Sequence, residues 1–207
     1  MICTGDLTQR ARKAEFAAAA AWLGALGVPV TIEPGNHDLP YFNPFARLLN
    51  PYRRYRAVAA LLDRPLDLPG VMIVPLKTTA RFQLRHWSWG RVSRTGLKTA
   101  LERLADKPPA TLAIIACHHP LIRTGHNERG ETLHGGEALA LLAEAGADAV
   151  LSGHVHDAFD VAYHEAGRVV RLIGAGTLSE RVRTTLPSFN ELRIVAGALE
   201  VVPRAMA

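Results

Sequence analysis

The 207-residue chain carries 24 Lys and Arg against 19 Asp and Glu, a net charge of +5, and 48% of its residues are hydrophobic. That is enough apolar material to bury a core as one domain over residues 1–207, and it excludes a low-complexity or disordered chain. Apolar runs such as Leu112–Ala116 are far too short to span a bilayer, and the first residues lack the basic and then apolar pattern of a secretion signal.

In chain order, Ile2 and Cys3 finish a strand that delivers Thr4-Gly5-Asp6. Phe16, Ala19, Ala20, Leu23 and Leu26 recur at helical spacing over residues 10–26, and Gly27 stops that helix. A strand over 28–33 ends at Pro34-Gly35, which turns Asn36, His37 and Asp38 into a loop, and Pro40, Pro44 and Pro51 punctuate a lid-like insertion over 39–69 with short helices. Strands are predicted over 71–76 and 81–89, then a helix over 94–104. Residues 112–117 form a continuous apolar run, the pattern of a strand buried on both faces, and present His118 at its carboxyl end. A helix over 137–145, a short strand over 149–151 and the motif Gly153-His154-Val155-His156 follow, with four closing strands over 159–163, 169–173, 189–195 and 199–202, the last pair turning at Gly197.

Four segments hold the chemistry: Gly5-Asp6, Gly35-Asn36-His37-Asp38, His118-His119-Pro120 and Gly153-His154-Val155-His156. Each combines oxygen or imidazole donors with glycine or proline after an apolar run, which is how strand ends offer ligands to a cleft at one edge of a sheet. A carboxylate, an amide oxygen and imidazoles suit Mn, Fe or Zn better than Ca or a thiolate site. Taken singly, an Asn or His in such a turn is more often a turn or capping residue; the ordered set reverses that judgement. His119, beside the better-placed His118, is read as a supporting or packing residue, and His126, His134, His86 and His164 as surface or packing positions.

On these motifs the chain resembles the calcineurin-like metallophosphoesterases, and within them the group that includes the class III cyclic-nucleotide phosphodiesterases. The resemblance implies a sandwich of two mixed β-sheets flanked by helices. It implies that Asp6 bridges two divalent ions, that Asn36, His118 and His154 complete one site and that His156 belongs to the other. It makes His37 the proton or hydrogen-bond donor to the leaving oxygen, with Asp38 orienting its ring. The reaction it implies is attack of a metal-activated hydroxide on a small phosphate ester, a cyclic nucleotide or similar phosphodiester.

The family pattern opens with Asp-x-His one strand-helix unit upstream of Gly-Asp, and that element has no match here. Two expectations follow: that Met1 is an internal or misplaced start of a longer protein, and that the second site keeps only Asp6 and His156. An alternative is then a weak or inactive one-metal module that binds phosphate. Cys3 and Cys117 lie in apolar runs, where reduced thiols and a cytoplasmic setting are expected. The run Arg53-Arg54-Tyr55-Arg56 is short and interspersed with apolar residues, so it reads as a solvated helix face and not as a nucleic-acid site. Neither a membrane span nor a particular oligomeric state is implied.

Overall fold

Five strands in the order β3-β5-β7-β9-β8 form the central sheet and set the position of everything else. Along the chain the elements are β1 (Ile2–Cys3), α1 (Lys13–Ala25), β2 (Thr31–Ile32), a 3-10 turn (Asn36–Asp38), α2 (Pro44–Leu49), α3 (Arg53–Leu62), β3 (Val71–Pro75), β4 (Gly90–Arg91), α4 (Arg94–Ala105), β5 (Leu112–Ala116), β6 (Thr132–Leu133), α5 (Gly135–Glu144), β7 (Ala149–Ser152), β8 (Phe159–Glu165), β9 (Arg168–Gly174), β10 (Ser188–Val195) and β11 (Ala198–Ala205). The computed structural model describes residues 1–82, 86, 88–124, 132–179, 186–195 and 197–206.

The sheet is mixed: β3, β5, β7 and β9 are parallel, and β8 returns antiparallel to β9 at the edge. Its two faces are covered differently. Ala113 and Ile115 of β5 point into a core shared with Leu104 of α4 and Leu139 and Leu142 of α5. Ile114 of the same strand joins Ala149, Leu151 and Ile173 on the opposite face, against Ile2 of β1 and Leu192, Leu199 and Val201 of the β10–β11 hairpin. Alternation along β5 thus buries both faces of one strand, which explains its unbroken apolar run.

A second layer is built from the parallel pair β1–β2 and the antiparallel hairpin β10–β11. The outer side of β1–β2 is closed by α1 and α3, through Phe16, Leu23 and Val58 packed on Val30 and Ile32. The result is a mixed α/β fold with a central mixed sheet and helices on both outer surfaces, as expected, while the second layer, expected as another mixed sheet, consists of two separate two-stranded pairs. Some strands are shorter than their apolar runs. Residues 28–33 give only β2, because Val28 is exposed and Val30 makes a single bridge to Asp63 before pairing with β1 begins. Of the strand expected over 81–89, residues 83–85 and 87 lie outside the described residues, and the pairing that is described starts later, at Gly90 with β6.

Local signals explain the helix starts. Glu15 reaches back to accept from the backbone N–H groups of Arg10 and Arg12, Asn43 caps α2 ahead of Pro44, and Ser93 caps α4 through the Gly96 N–H. β1, β5 and β7 all end on one side of the molecule, so the loops that follow them meet there: the Gly153 N–H donates to the His118 carbonyl, and the His118 ring bonds the Thr4 carbonyl.

Candidate metal centre

Asp6 stands just beyond β1 with a left-handed backbone, φ 57°, and His154 and His156 share that conformation at φ 67° and 64°. Only seven non-glycine residues among those described have positive φ, so three of them at one candidate site indicate backbone strain held by the surrounding structure, a common feature of functional sites. Gly5 adopts φ +99°, and a Cβ there would lie 2.6 Å from His118 Nδ1 and 2.7 Å from the Gly35 nitrogen. The close approach of three loops depends on the missing side chain.

The donor atoms converge. Asn36 Oδ1 lies 3.0 Å from His118 Nε2 and 3.0 Å from His154 Nδ1, and Asp6 Oδ1 lies 3.5 Å from His118 Nε2. His118 Nδ1 is 2.7 Å from the Thr4 carbonyl, which can only accept, so Nδ1 carries a proton and Nε2 is the ring nitrogen that faces Asn36 and Asp6. An imidazole nitrogen, an amide oxygen and a carboxylate oxygen turned towards one another are the donor types that a divalent cation takes once the imidazole nitrogen is unprotonated. The donor set therefore fits a divalent metal on the chemistry of its own atoms. Asp6 Oδ1 is itself oriented by the His37 backbone N–H at 2.9 Å.

His118, His119 and His154 form the tight imidazole cluster of the site, with their ring nitrogens within 4.8 Å of one another. Proximity alone would make His119 a third ligand. Its hydrogen bonds say otherwise: Nε2 donates to the Ser88 carbonyl at 3.0 Å, and Nδ1 accepts from the Thr78 hydroxyl at 3.0 Å, while that hydroxyl accepts from the His119 N–H at 2.9 Å. Burial, and then the His118 and His154 rings, hold His119 well below the usual imidazole range, so it stays neutral. Thr78 and Ser88, which lock this ring, carry no motif in the sequence.

His37 and Asp38 complete the 3-10 turn, and here one expectation is corrected. The Asp38 carboxylate does not orient the His37 ring: it accepts from the N–H groups of Leu7 (3.2 Å), Thr8 (2.9 Å) and Gly35 (2.9 Å) and from the Thr8 hydroxyl (3.1 Å). It is a buried clamp between the loop after β1 and the loop after β2. Burial, then the Asp6 carboxylate, push the Asp38 carboxyl up to about 7, against the donors of Gly35, Leu7 and Thr8. The ring of His37 is set instead by Nδ1 on the Gln9 carbonyl at 2.8 Å. His156 lies half-buried in the turn that carries His154. His126 lies outside the described residues, and His134 is exposed at the start of α5, 3.8 Å from Glu137.

Glu33, buried between β2 and the Pro34-Gly35 turn, supplies a pH test of the site's support. Burial, then the Asp63 carboxylate, push its carboxyl up from 4.5 to about 8, with Arg103 and Lys77 pulling the other way. Because the folded value is the higher one, the folded state keeps a proton that the unfolded chain has lost. The stability this contributes is fully present below pH 4.5 and disappears as pH rises through about 8. At about 1.4 kcal/mol per pH unit, the wild-type protein is expected to lose on the order of a few kcal/mol relative to Glu33→Gln between pH 5 and pH 8.5. Urea titrations of both proteins at the two pH values check this; a constant difference would mean that Glu33 ionises normally.

Fold and donor set together describe an α/β protein with a candidate metal centre in the loops that follow β1, β2, β5 and β7. The profile of the calcineurin-like phosphoesterases matches residues 1–158, and the chain belongs to that family. As a member it is a metal-dependent phosphoric ester hydrolase. Similar solved structures include TT1561 of Thermus thermophilus, at 17% identity and a TM-score of 0.56, covering 94% of this chain and 81% of that one. The phosphopantetheinyl hydrolase PptH of Mycobacterium tuberculosis is similar at 16% identity and 0.55, covering 84% and 78%. The sulfate thiohydrolase SoxB of Thermus thermophilus, in complex with glycerol, is similar at 14% and 0.54, covering 98% of this chain but 38% of its own. At such identities the likeness is one of fold. No curated protein is similar enough in sequence to count as a relative. No helix among the described residues is long and apolar enough to cross a membrane.

Proposed function

We propose that the chain hydrolyses small phosphodiesters at a centre in which Asp6, Asn36, His118 and His154 hold one divalent ion and Asp6 and His156 contribute to a second. The observation that carries this is the approach of Asn36 Oδ1 and Asp6 Oδ1 to within 3.0 and 3.5 Å of His118 Nε2. A bound divalent ion supplies positive charge to the phosphate oxygens and lowers the pKa of a coordinated water. The chain's own residues do the rest. Asp6 is held by the His37 N–H and His118 by the Thr4 carbonyl, so two donors are preoriented before any ligand arrives. His37, fixed through Gln9, is the group assigned to give a proton or hydrogen bond to the leaving oxygen. His119 and its Thr78 and Ser88 partners keep the inner wall neutral and rigid beside the two ligand rings.

Within this class, a cyclic nucleotide or similar diester is the substrate we favour, supported by the resemblance of the motifs. PptH and SoxB carry other substrates in their names, so a panel decides. Protein stripped with a chelator is expected to lose hydrolysis of bis(p-nitrophenyl) phosphate and to regain it with Mn, Fe or Zn, and then to prefer cyclic nucleotides over phosphomonoesters. Absence of turnover with every divalent metal would contradict the reading. Calorimetric binding of phosphate under those conditions would support the one-metal binding module instead.

A further inference from the structure

Helix α2 is built inside out. Phe45, Leu48 and Leu49 stand at the i, i+3 and i+4 positions that form one face of a helix, the spacing that normally turns to a core. Here that face is the exposed one, at 77%, 58% and 75%. The half-buried side carries Ala46 and Arg47, whose guanidinium donates to the Pro40 and Arg81 carbonyls. With Asn43 capping its first turn, the helix is pinned in that orientation. Phe42, at 68%, extends the apolar surface from the preceding turn, and Phe82, at 63%, follows the Arg81 whose carbonyl Arg47 holds.

The charge around this surface has one sign. Residues 39–62 contain Arg47, Arg53, Arg54 and Arg56 and no Asp or Glu, and residues 75–82 add Lys77 and Arg81, again with no acid. Arg53, Arg56, Lys77 and Arg81 are exposed. Two of them flank one ring: Lys77 Nζ lies 4.7 Å and the Arg56 guanidinium carbon 5.9 Å from the centre of Tyr52. Protruding Phe and Leu side chains on a helix flanked in sequence by exposed arginines match a segment that lies in the headgroup region of an anionic bilayer.

Two other occupants fit less well. A second copy docked across a two-fold axis would set this basic surface against itself with no carboxylate in the patch to compensate. A single-stranded nucleic acid could stack on Phe42, Phe45 and Phe82 but has no use for Leu48 and Leu49 between them, whereas a bilayer takes up all five side chains. We propose that the α2 face and the exposed basic residues of the neighbouring segments dock the enzyme reversibly on an anionic lipid surface. The Pro40 carbonyl held by Arg47 is three residues from His37, so docking brings the candidate centre close to the bilayer.

Co-sedimentation of the full chain with vesicles tests this, using phosphatidylcholine alone and phosphatidylcholine with about a third phosphatidylserine. The expected result is binding to the anionic vesicles at least about tenfold tighter than to the neutral ones, lost at high salt. The double variant Phe45→Ser with Leu49→Ser is expected to bind the anionic vesicles at least about tenfold more weakly with an unchanged melting curve, because both side chains are exposed. No binding to either vesicle, or equal binding by the variant, would overturn the proposal. So would a dimer in light scattering that the variant disperses, which would assign the face to a second copy, or a preference for an oligonucleotide over the anionic vesicles.

Discussion

His118→Ala is expected to abolish hydrolysis and to leave the purified protein without stoichiometric metal. The ring is the hinge of the site: Nδ1 ties it to Thr4 beyond β1, Nε2 faces Asn36 beyond β2 and Asp6, and its own backbone carbonyl receives the Gly153 N–H from the loop after β7. Altering even an outer partner of a ligand commonly costs ~10–100-fold in affinity or activity, so loss of the ligand itself is expected to exceed about 100-fold in metal affinity. Since His118 is buried, its removal also leaves a cavity and some loss of stability. Asn36→Ala separates the two effects. It removes a smaller side chain, keeps the Thr4–His118 link and takes away the oxygen shared by His118 and His154. Metal analysis and a thermal melt of both variants are the measurements. Full metal content in Asn36→Ala would remove Asn36 from the ligand set.

The second large effect is expected from adding one methyl group. Gly35→Ala places a Cβ 2.0 Å from Asp6 Oδ1 and 2.2 Å from the Asp6 nitrogen. The cause is space, because Gly35 has the ordinary extended backbone, φ −94° and ψ 171°. Backbone of the ligand loop must move to relieve the clash, and the clamp made by Asp38 on Leu7, Thr8 and Gly35 must open with it. A loss of at least about 3 kcal/mol follows, or roughly 6–12 °C in Tm for a chain of this size. Gly24, inside α1, is the reference, since a Cβ there meets only Leu62 Cδ2 at 3.7 Å. A Gly35→Ala protein that melts like wild type and keeps its metal would contradict the packing described for these two loops.

The candidate ligands stand out because they sit at the ends of recognisable apolar strands, where period and punctuation show in the sequence. Asp6 after Ile2–Cys3, Asn36 after the Pro34-Gly35 break and His118 after Leu112–Ala116 are all of this kind. What the sequence hid depends on contacts far apart in the chain. His119 is engaged by Thr78, 41 residues earlier, and no local pattern marks that threonine. Asp38 was read through its neighbour His37. The 3-10 turn sends the two side chains apart, and the carboxylate meets N–H groups some 30 residues away. The outward face of α2 has the same helical spacing as an inward one, so periodicity identifies the helix and says nothing of which side is wet. In the second layer the β10–β11 hairpin was legible from its turn at Gly197, whereas the parallel pairing of β1 with β2 is one that local apolar runs do not encode.

Anomalous diffraction from crystals of the chain soaked in Mn tests the central claim most directly. The expected result is a peak at about 2.0–2.3 Å from Asp6, Asn36 Oδ1, His118 Nε2 and a nitrogen of His154, with His119 still bound to Thr78 and Ser88. No peak among these residues, or a peak that has pulled His119 away from Thr78 and Ser88 to serve as a ligand, would contradict it.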